Sequence, residues 1–151
     1  MKMNFTKREY HALLEMIYLA DWMLHAHEPN RKEDVYHALE QKILSVAKEF
    51  GCEDLVEHSE RLNEYFPTKT LEESDAIQGA IADYDDATFW DEIISRLAER
   101  DVSRRHTEEE LARLTGEDRV VLYWKAEKPY ADEFETNGLD RIRIEEAQPG
   151  H

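Results

Sequence analysis

The chain has 151 residues and is 41% hydrophobic, so it can bury a core without disulfides or metal staples. Its formal net charge of −16 opposes binding to nucleic acids and to anionic membrane surfaces, because both need a basic footprint. The charge is uneven, since residues 1–70 carry −4 and residues 71–151 carry −12. This balance permits a basic protein partner or a metal cation.

Three features of the sequence predict a cytoplasmic protein. Cys52 is the only cysteine, which excludes an intrachain disulfide and a paired-cysteine redox or zinc motif. The first residues, MKMNFTKREYH, lack the apolar core of about 7–15 residues that a signal peptide needs. No apolar run approaches the roughly 20 residues that a membrane-spanning helix needs.

Helix-capping patterns recur along the chain and place the predicted helices. Thr or Asn is followed three positions later by Glu, the spacing of a capping box, at Thr6–Glu9, Asn30–Glu33, Thr70–Glu73 and Thr107–Glu110. Asp86 can cap a further helix, and helix ends are predicted at Gly51, Gly116 and Asn137-Gly138. The predicted helices cover residues 7–26, 31–50, 53–65, 71–84, 87–101, 108–115 and 118–136.

The C-terminal part of the chain has two interpretations. The segment RVVLYWK (Arg119–Lys125) is rich in strand-forming residues, and LDRIRIE alternates apolar and charged positions. These two segments could pair as a small β-hairpin. We favour a helix for Arg119–Lys125, as part of the predicted helix 118–136, which Pro129 should break or kink because proline lacks an amide donor.

The apolar pattern of the first helix predicts that it lies in the centre of the fold. Apolar residues cover most of its circumference and leave only a narrow polar strip, which is typical of a buried helix. The predicted fold is therefore all-α. We expect an irregular bundle of six or seven helices around a buried N-terminal helix, in a single domain spanning residues 1–151, and a small C-terminal β-hairpin is the alternative for its last part.

Asp21 is the residue in this helix that most needs an explanation. It falls inside the apolar arc, and a buried carboxylate is costly unless it is paired. His25 follows one turn later, and His58 falls on the apolar side of the predicted third helix. One interpretation is a divalent-metal or acid–base site built from Asp21, His25 and His58. The other, which we favour, is a buried polar network that fixes helix packing.

A second candidate site is an acidic surface in the middle of the chain. No basic residue occurs between Lys69 and Arg96, whereas eight acids do. Such a segment is suited to a basic protein partner. The candidate interaction surface consists of Asp75, Asp83, Asp85, Asp91 and Glu92.

Four segments resemble a family of small, acidic, helical bacterial proteins of unknown function: YLADWMLHAH, LEQKILSVAKEFG, YDDATFWDEIISRLAERD and YADEFETNGLDRI. The resemblance implies a bacterial protein but no activity, ligand or named fold. We therefore predict a non-enzymatic, acidic interaction or regulatory module without a cofactor, which binds a basic protein or associates with itself. A metal-dependent hydrolase or metal-binding bundle using Asp21, His25 and His58 is the alternative.

Overall fold

The structure, a computed structural model, describes residues 4–25 and 35–143. Those residues are mostly helical, as predicted, and they include one two-stranded antiparallel sheet. The elements in chain order are α1 (Lys7–His25), α2 (Val35–Leu44), a 3₁₀-helix (Ala47–Phe50), β1 (Val56–Ser59), β2 (Glu64–Pro67), α3 (Lys69–Glu72), α4 (Asp75–Arg105), α5 (Glu108–Arg113) and α6 (Gly116–Asn137).

Contacts divide the chain into two compact units, Met1–Tyr84 and Asp85–His151. The prediction of a single domain over residues 1–151 stays a prediction. No helix in the described part of the chain is long and apolar enough to cross a membrane.

The core of the first unit gathers side chains from most of its elements. Its members are Tyr10, Leu14, Leu44, Ala47, Cys52, Leu55, Leu71 and Ile77. Tyr10 stacks on Phe50 with ring centroids 4.3 Å apart, and its hydroxyl donates to the carbonyl of Ile43. Burial is the main cause that raises the pKa of Tyr10, to about 12, and burial also raises the pKa of the Cys52 thiol. The lone cysteine is therefore a core residue.

The predicted third helix, residues 53–65, is wrong: this segment contains β1 and leads into β2. Val56 pairs with Pro67 and Ser59 with Glu64 in the antiparallel register. Asn63 adopts the left-handed φ of 56° in the connecting turn. The side chain of Gln41 in α2 makes two hydrogen bonds with the backbone of Tyr65. Its Oε1 atom accepts from the backbone N–H at 2.7 Å, and its Nε2 atom donates to the backbone carbonyl at 2.8 Å. Hydrogen bonds to α2, which is distant in the sequence, thus hold the hairpin in place. Local sequence patterns cannot predict such bonds.

The first helix is not enclosed as predicted. Only Tyr10 and Leu14 of α1 are buried, whereas Met16, Met23 and Leu24 are 66%, 58% and 47% exposed. The apolar circumference of this helix therefore has two parts, one facing the core and one facing outward.

In the second unit, the later part of α4, α5 and α6 carry the packing. Ala98, Val102 and Phe134 are buried, and the rings of Trp90 and Phe134 lie 5.6 Å apart. Arg119–Lys125 lies in α6, so the favoured helix is confirmed. The alternative, in which this segment is a strand paired with LDRIRIE, is therefore wrong.

The second unit also has a polar cluster that joins α4 and α6. The hydroxyl of Tyr130 donates to Asp101, and Arg100 donates to the same hydroxyl at 3.1 Å. The hydrogen bond from Tyr130 and that from Arg100 lower the pKa of Asp101.

The predicted caps divide into two groups. The boxes Thr6–Glu9 and Thr107–Glu110 are formed, and positive φ values of 68° and 53° are found at Gly51 and Gly138.

Other predicted caps are wrong. Thr70 lies inside α3, and Gly116 begins α6 after the N-cap Thr115. Asp86 lies within the continuous helix α4, where its carboxylate accepts from the indole nitrogen of Trp90 at 3.2 Å. The pair Asn30–Glu33 lies outside the described residues.

Candidate functional site

Asp21 and His25 form a hydrogen-bonded pair on the last two turns of α1. The Oδ1 atom of Asp21 lies 2.8 Å from Nδ1 of His25, as the i, i+4 spacing predicts. The side chain of Asp21 is 29% exposed and that of His25 is 14% exposed. Asp21 therefore stands at the edge of the first unit, and its carboxylate is bonded to a neighbour one turn away.

The structure does not bring His58 to this pair. His58 lies on β1, is exposed, and packs its ring against Tyr65, the residue opposite it, with centroids 4.6 Å apart. Among residues 4–25 and 35–143, no group of three or more His, Cys, Asp or Glu side chains could hold a metal ion. The three predicted ligands are thus separated into a local pair and a strand residue.

Asp21 and His25 instead line a cleft of about 730 Å³ in the first unit, which we call the acidic cleft. Its walls come from α1, α2, the hairpin and α3. Of the residues that the structure describes, four carboxylates line it, together with four aromatic rings of Tyr, Trp and Phe and one lysine, Lys69. The carboxylates are Asp21, Glu40, Glu57 and Glu72, and the rings are those of Tyr18, Trp22, Tyr65 and Phe66.

The electrostatics of the acidic cleft favour a positive ligand. Burial is the first cause of a raised pKa at Tyr18, and the nearby charges of Glu72 and Asp21 raise it further. The hydroxyl of Tyr18 on the cleft wall therefore lies in the negative potential of these two carboxylates. Among the lysines and arginines in the described part of the chain, Lys69, which is exposed, is the one that lines the cleft, and His25 lines it beside Asp21.

A second, smaller cavity adjoins the acidic cleft. This groove between α1 and α2, which we call the apolar groove, has a volume of about 90 Å³. Its apolar lining residues are Ile17, Ala20, Leu24, Tyr36 and Leu39. Asp21 and Glu40 line both cavities, so these two residues form the boundary between the apolar groove and the acidic cleft.

Glu40 is the most buried of these carboxylates, at 7% exposure. Its Oε2 atom lies 3.6 Å from Nδ1 of His37, whose Nε2 lies 3.6 Å from Glu64 of β2. This arrangement ties the carboxylate at the cavity boundary to the hairpin.

The five acids of the predicted interaction surface are all exposed on α4. Within the first unit, Asp75 and Asp83 differ by about 80° around the helix. Within the second unit, Asp85 and Glu92 lie within about 20° of each other, whereas Asp91 is turned from Glu92 by about 100°. The acids are accessible, but they do not form one continuous stripe within either unit.

Comparisons with protein-family models, with curated proteins and with solved structures found no match. The resemblance to small acidic bacterial proteins therefore stays a prediction.

Sequence reasoning missed three of the four cleft carboxylates: Glu40, Glu57 and Glu72. Glu57 comes to the cleft because β1 and β2 pair, which places it opposite Phe66. The available signal was Tyr65-Phe66-Pro67, two strand-forming residues followed by a proline that ends a strand.

Proposed function

We propose that this chain is a protein-interaction module that binds a basic partner protein. The observation that carries the proposal is an outward apolar surface on the first two helices, which we call the apolar face. Its large members are between 47% and 73% exposed, and they are Met16, Met23, Leu24, Val35, Tyr36 and Leu39. Surfaces of this kind on otherwise polar proteins mark interaction sites.

Helical geometry supports one shared face on each helix. On α1, Met16, Met23 and Leu24 fall within an arc of about 100°. On α2, Val35, Tyr36 and Leu39 fall within a similar arc of about 100°. The apolar groove runs between the two helices, because residues of both line it.

The charge of the chain favours a basic partner over a second copy. A net charge of −16 repels another molecule of the same charge, whereas it attracts a cationic protein from a distance. The exposed acids of α4 would contribute to this attraction without forming a specific contact stripe. A bacterial, cytoplasmic location belongs to the same proposal, and the buried single thiol of Cys52 agrees with it.

Site-specific photo-crosslinking in the native host tests the proposal. A photoreactive amino acid replaces Leu39, which is 54% exposed on the apolar face, and Leu62, which is 49% exposed in the hairpin turn, is the matched control. We expect a discrete crosslinked protein of basic charge at Leu39 and not at Leu62, and its yield should fall as salt is raised. Crosslinks to an acidic protein, to a second copy alone, or equally from both positions would refute the proposal.

A further inference from the structure

The two cavities of the first unit share a wall, and this arrangement defines what can bind there. Asp21 and Glu40 line the apolar groove on one side and the acidic cleft on the other. We propose that they form one bipartite docking site for a basic amphipathic helix of the partner protein. An apolar side chain of that helix enters the groove, and a neighbouring arginine or lysine enters the cleft. This inference rests on the proposed function and names the partner's chemistry.

The apolar groove fits a single aliphatic anchor. At about 90 Å³ it is small, and five of the seven described residues that line it are Ile, Ala, Leu or Tyr. Tyr36 and Leu39 are more than half exposed, so an incoming side chain would cover apolar surface that the isolated chain leaves open. Grooves between two helices commonly receive an amphipathic helix through such anchors.

The acidic cleft fits a cationic side chain better than a neutral or anionic one. Carboxylates form short, charge-assisted hydrogen bonds with guanidinium and ammonium groups. Aromatic faces attract the same cations, and the lining includes Trp22 and Tyr65. The raised pKa of Tyr18 agrees with a negative potential in this space.

The shared wall sets the spacing of the ligand. A helix presents residues i and i+3 or i+4 on one face, with Cβ atoms about 5–6 Å apart. An apolar anchor and a cation at that spacing would lie on opposite sides of the boundary formed by Asp21 and Glu40. The site therefore predicts a partner segment with apolar and basic residues alternating at helical spacing.

Binding of synthetic helical peptides tests the inference. The probe is an amphipathic peptide of leucine and arginine, and its partner peptides carry citrulline for arginine or serine for leucine. Titration calorimetry is run with the intact chain and with Leu39→Ser and Glu72→Gln. The matched controls are Leu62→Ser and Glu73→Gln, which make the same changes at exposed positions that line neither cavity.

We expect Leu39→Ser and Glu72→Gln each to weaken binding of the arginine peptide about tenfold. Both control variants should stay within about twofold, because a lost surface charge alone changes affinity little. With the citrulline peptide, Glu72→Gln should have no further effect, which is the double-mutant signature of a direct contact. Circular dichroism checks that each variant is folded.

Several results would overturn the bipartite site. Equal losses in Glu72→Gln and Glu73→Gln would mean that only general charge attracts the peptide. Binding of spermidine in the cleft that fully displaces the peptide, with no effect of Leu39→Ser, would identify a small organic cation as the ligand. Sedimentation as a dimer that Leu39→Ser abolishes would identify a second copy as the occupant.

The two proposals fail in different ways. A basic protein crosslinked at Leu39, combined with peptide binding that ignores Glu72→Gln, would leave the proposed function standing and remove the bipartite site. Absence of any crosslinked basic protein would remove the proposed function itself, whatever the peptides do.

Discussion

Replacing Gln41 with alanine should remove the two hydrogen bonds that join the hairpin to α2 and lower the stability of the first unit without changing its fold. The carboxamide of Gln41 makes two hydrogen bonds with the backbone of Tyr65, at 2.7 Å and 2.8 Å. Each net hydrogen bond contributes about 0.5–1.5 kcal/mol, so the pair contributes about 1–3 kcal/mol. Both residues are only half-buried, so water can replace part of the loss and we expect about 2 kcal/mol. Alanine favours helix over glutamine by a few tenths of a kcal/mol, which works against this loss.

Urea unfolding followed by circular dichroism measures the effect. The midpoint for Gln41→Ala should fall while the slope stays unchanged, because the exposed surface on unfolding is the same. The control is Gln78→Ala, which removes one exposed hydrogen bond, from its amide to the carbonyl of Glu72 at 2.7 Å, and should cost about 0.5 kcal/mol. If the free energy of unfolding of Gln41→Ala lay within about 0.5 kcal/mol of the unmodified chain, or matched Gln78→Ala, the reasoning would be refuted.

Three further predictions concern caps, glycines and pH, and all are measured by urea unfolding. Thr107→Ala should cost about 1 kcal/mol because it removes a formed capping box, whereas Thr70→Ala should change stability by less than about 0.5 kcal/mol; equal losses would contradict the cap geometry. Gly79→Ala, inside α4 with open space around it, should stabilise by about 0.5–1 kcal/mol, whereas Gly51→Ala, at φ 68°, should destabilise by about 1 kcal/mol, and the same sign for both would be inconsistent with these backbones. The pKa of Tyr10 is raised to about 12, so its protonated form stabilises the fold fully below about pH 10 and that contribution is lost as pH rises toward 12; between about pH 10 and pH 12, Tyr10→Phe should lose less stability than the unmodified chain, and identical losses would exclude Tyr10 as the cause.

The parts of the fold that sequence reasoning predicted correctly depend on neighbours along the chain. The bonds of the Thr6–Glu9 and Thr107–Glu110 boxes span three positions, and the Asp21–His25 bond spans four. The partners in these hydrogen bonds can be named from the sequence as soon as the segment is assumed to be helical. The mostly helical class follows from the same local signals.

The wrong predictions share a different cause. Residues 53–65 contain enough apolar positions for a helix, but the backbone of Tyr65 finds its partners on Gln41, far away in the sequence. The predicted break near Asp86 did not occur: α4 is continuous there, and the carboxylate of Asp86 accepts a hydrogen bond from Trp90 within it. Side chains that can cap a helix can also serve inside one, and only the surrounding contacts decide between these roles.

The burial of α1 could not be predicted from its own sequence for the same reason, because it depends on contacts with other elements. An apolar stripe around most of a helix is compatible with a central position and equally with an interaction surface. The structure excludes full burial of α1, since Met16, Met23 and Leu24 are exposed. The total burial of a helix depends on how many other elements cover it, which its own periodicity does not record.

The sequence by itself determined the helical class, several helix ends, the Asp21–His25 pair and the strong negative charge, because composition and interactions within one helical turn decide these features. Only the tertiary structure decided that Glu40, Glu57 and Glu72 meet Asp21 in one cleft, that His58 stays apart on a strand, and that an apolar groove lies beside the cleft. Each of those outcomes requires segments distant along the chain to pack together. The free energy that selects such packing comes from burial and long-range hydrogen bonds, which are properties of the folded chain as a whole.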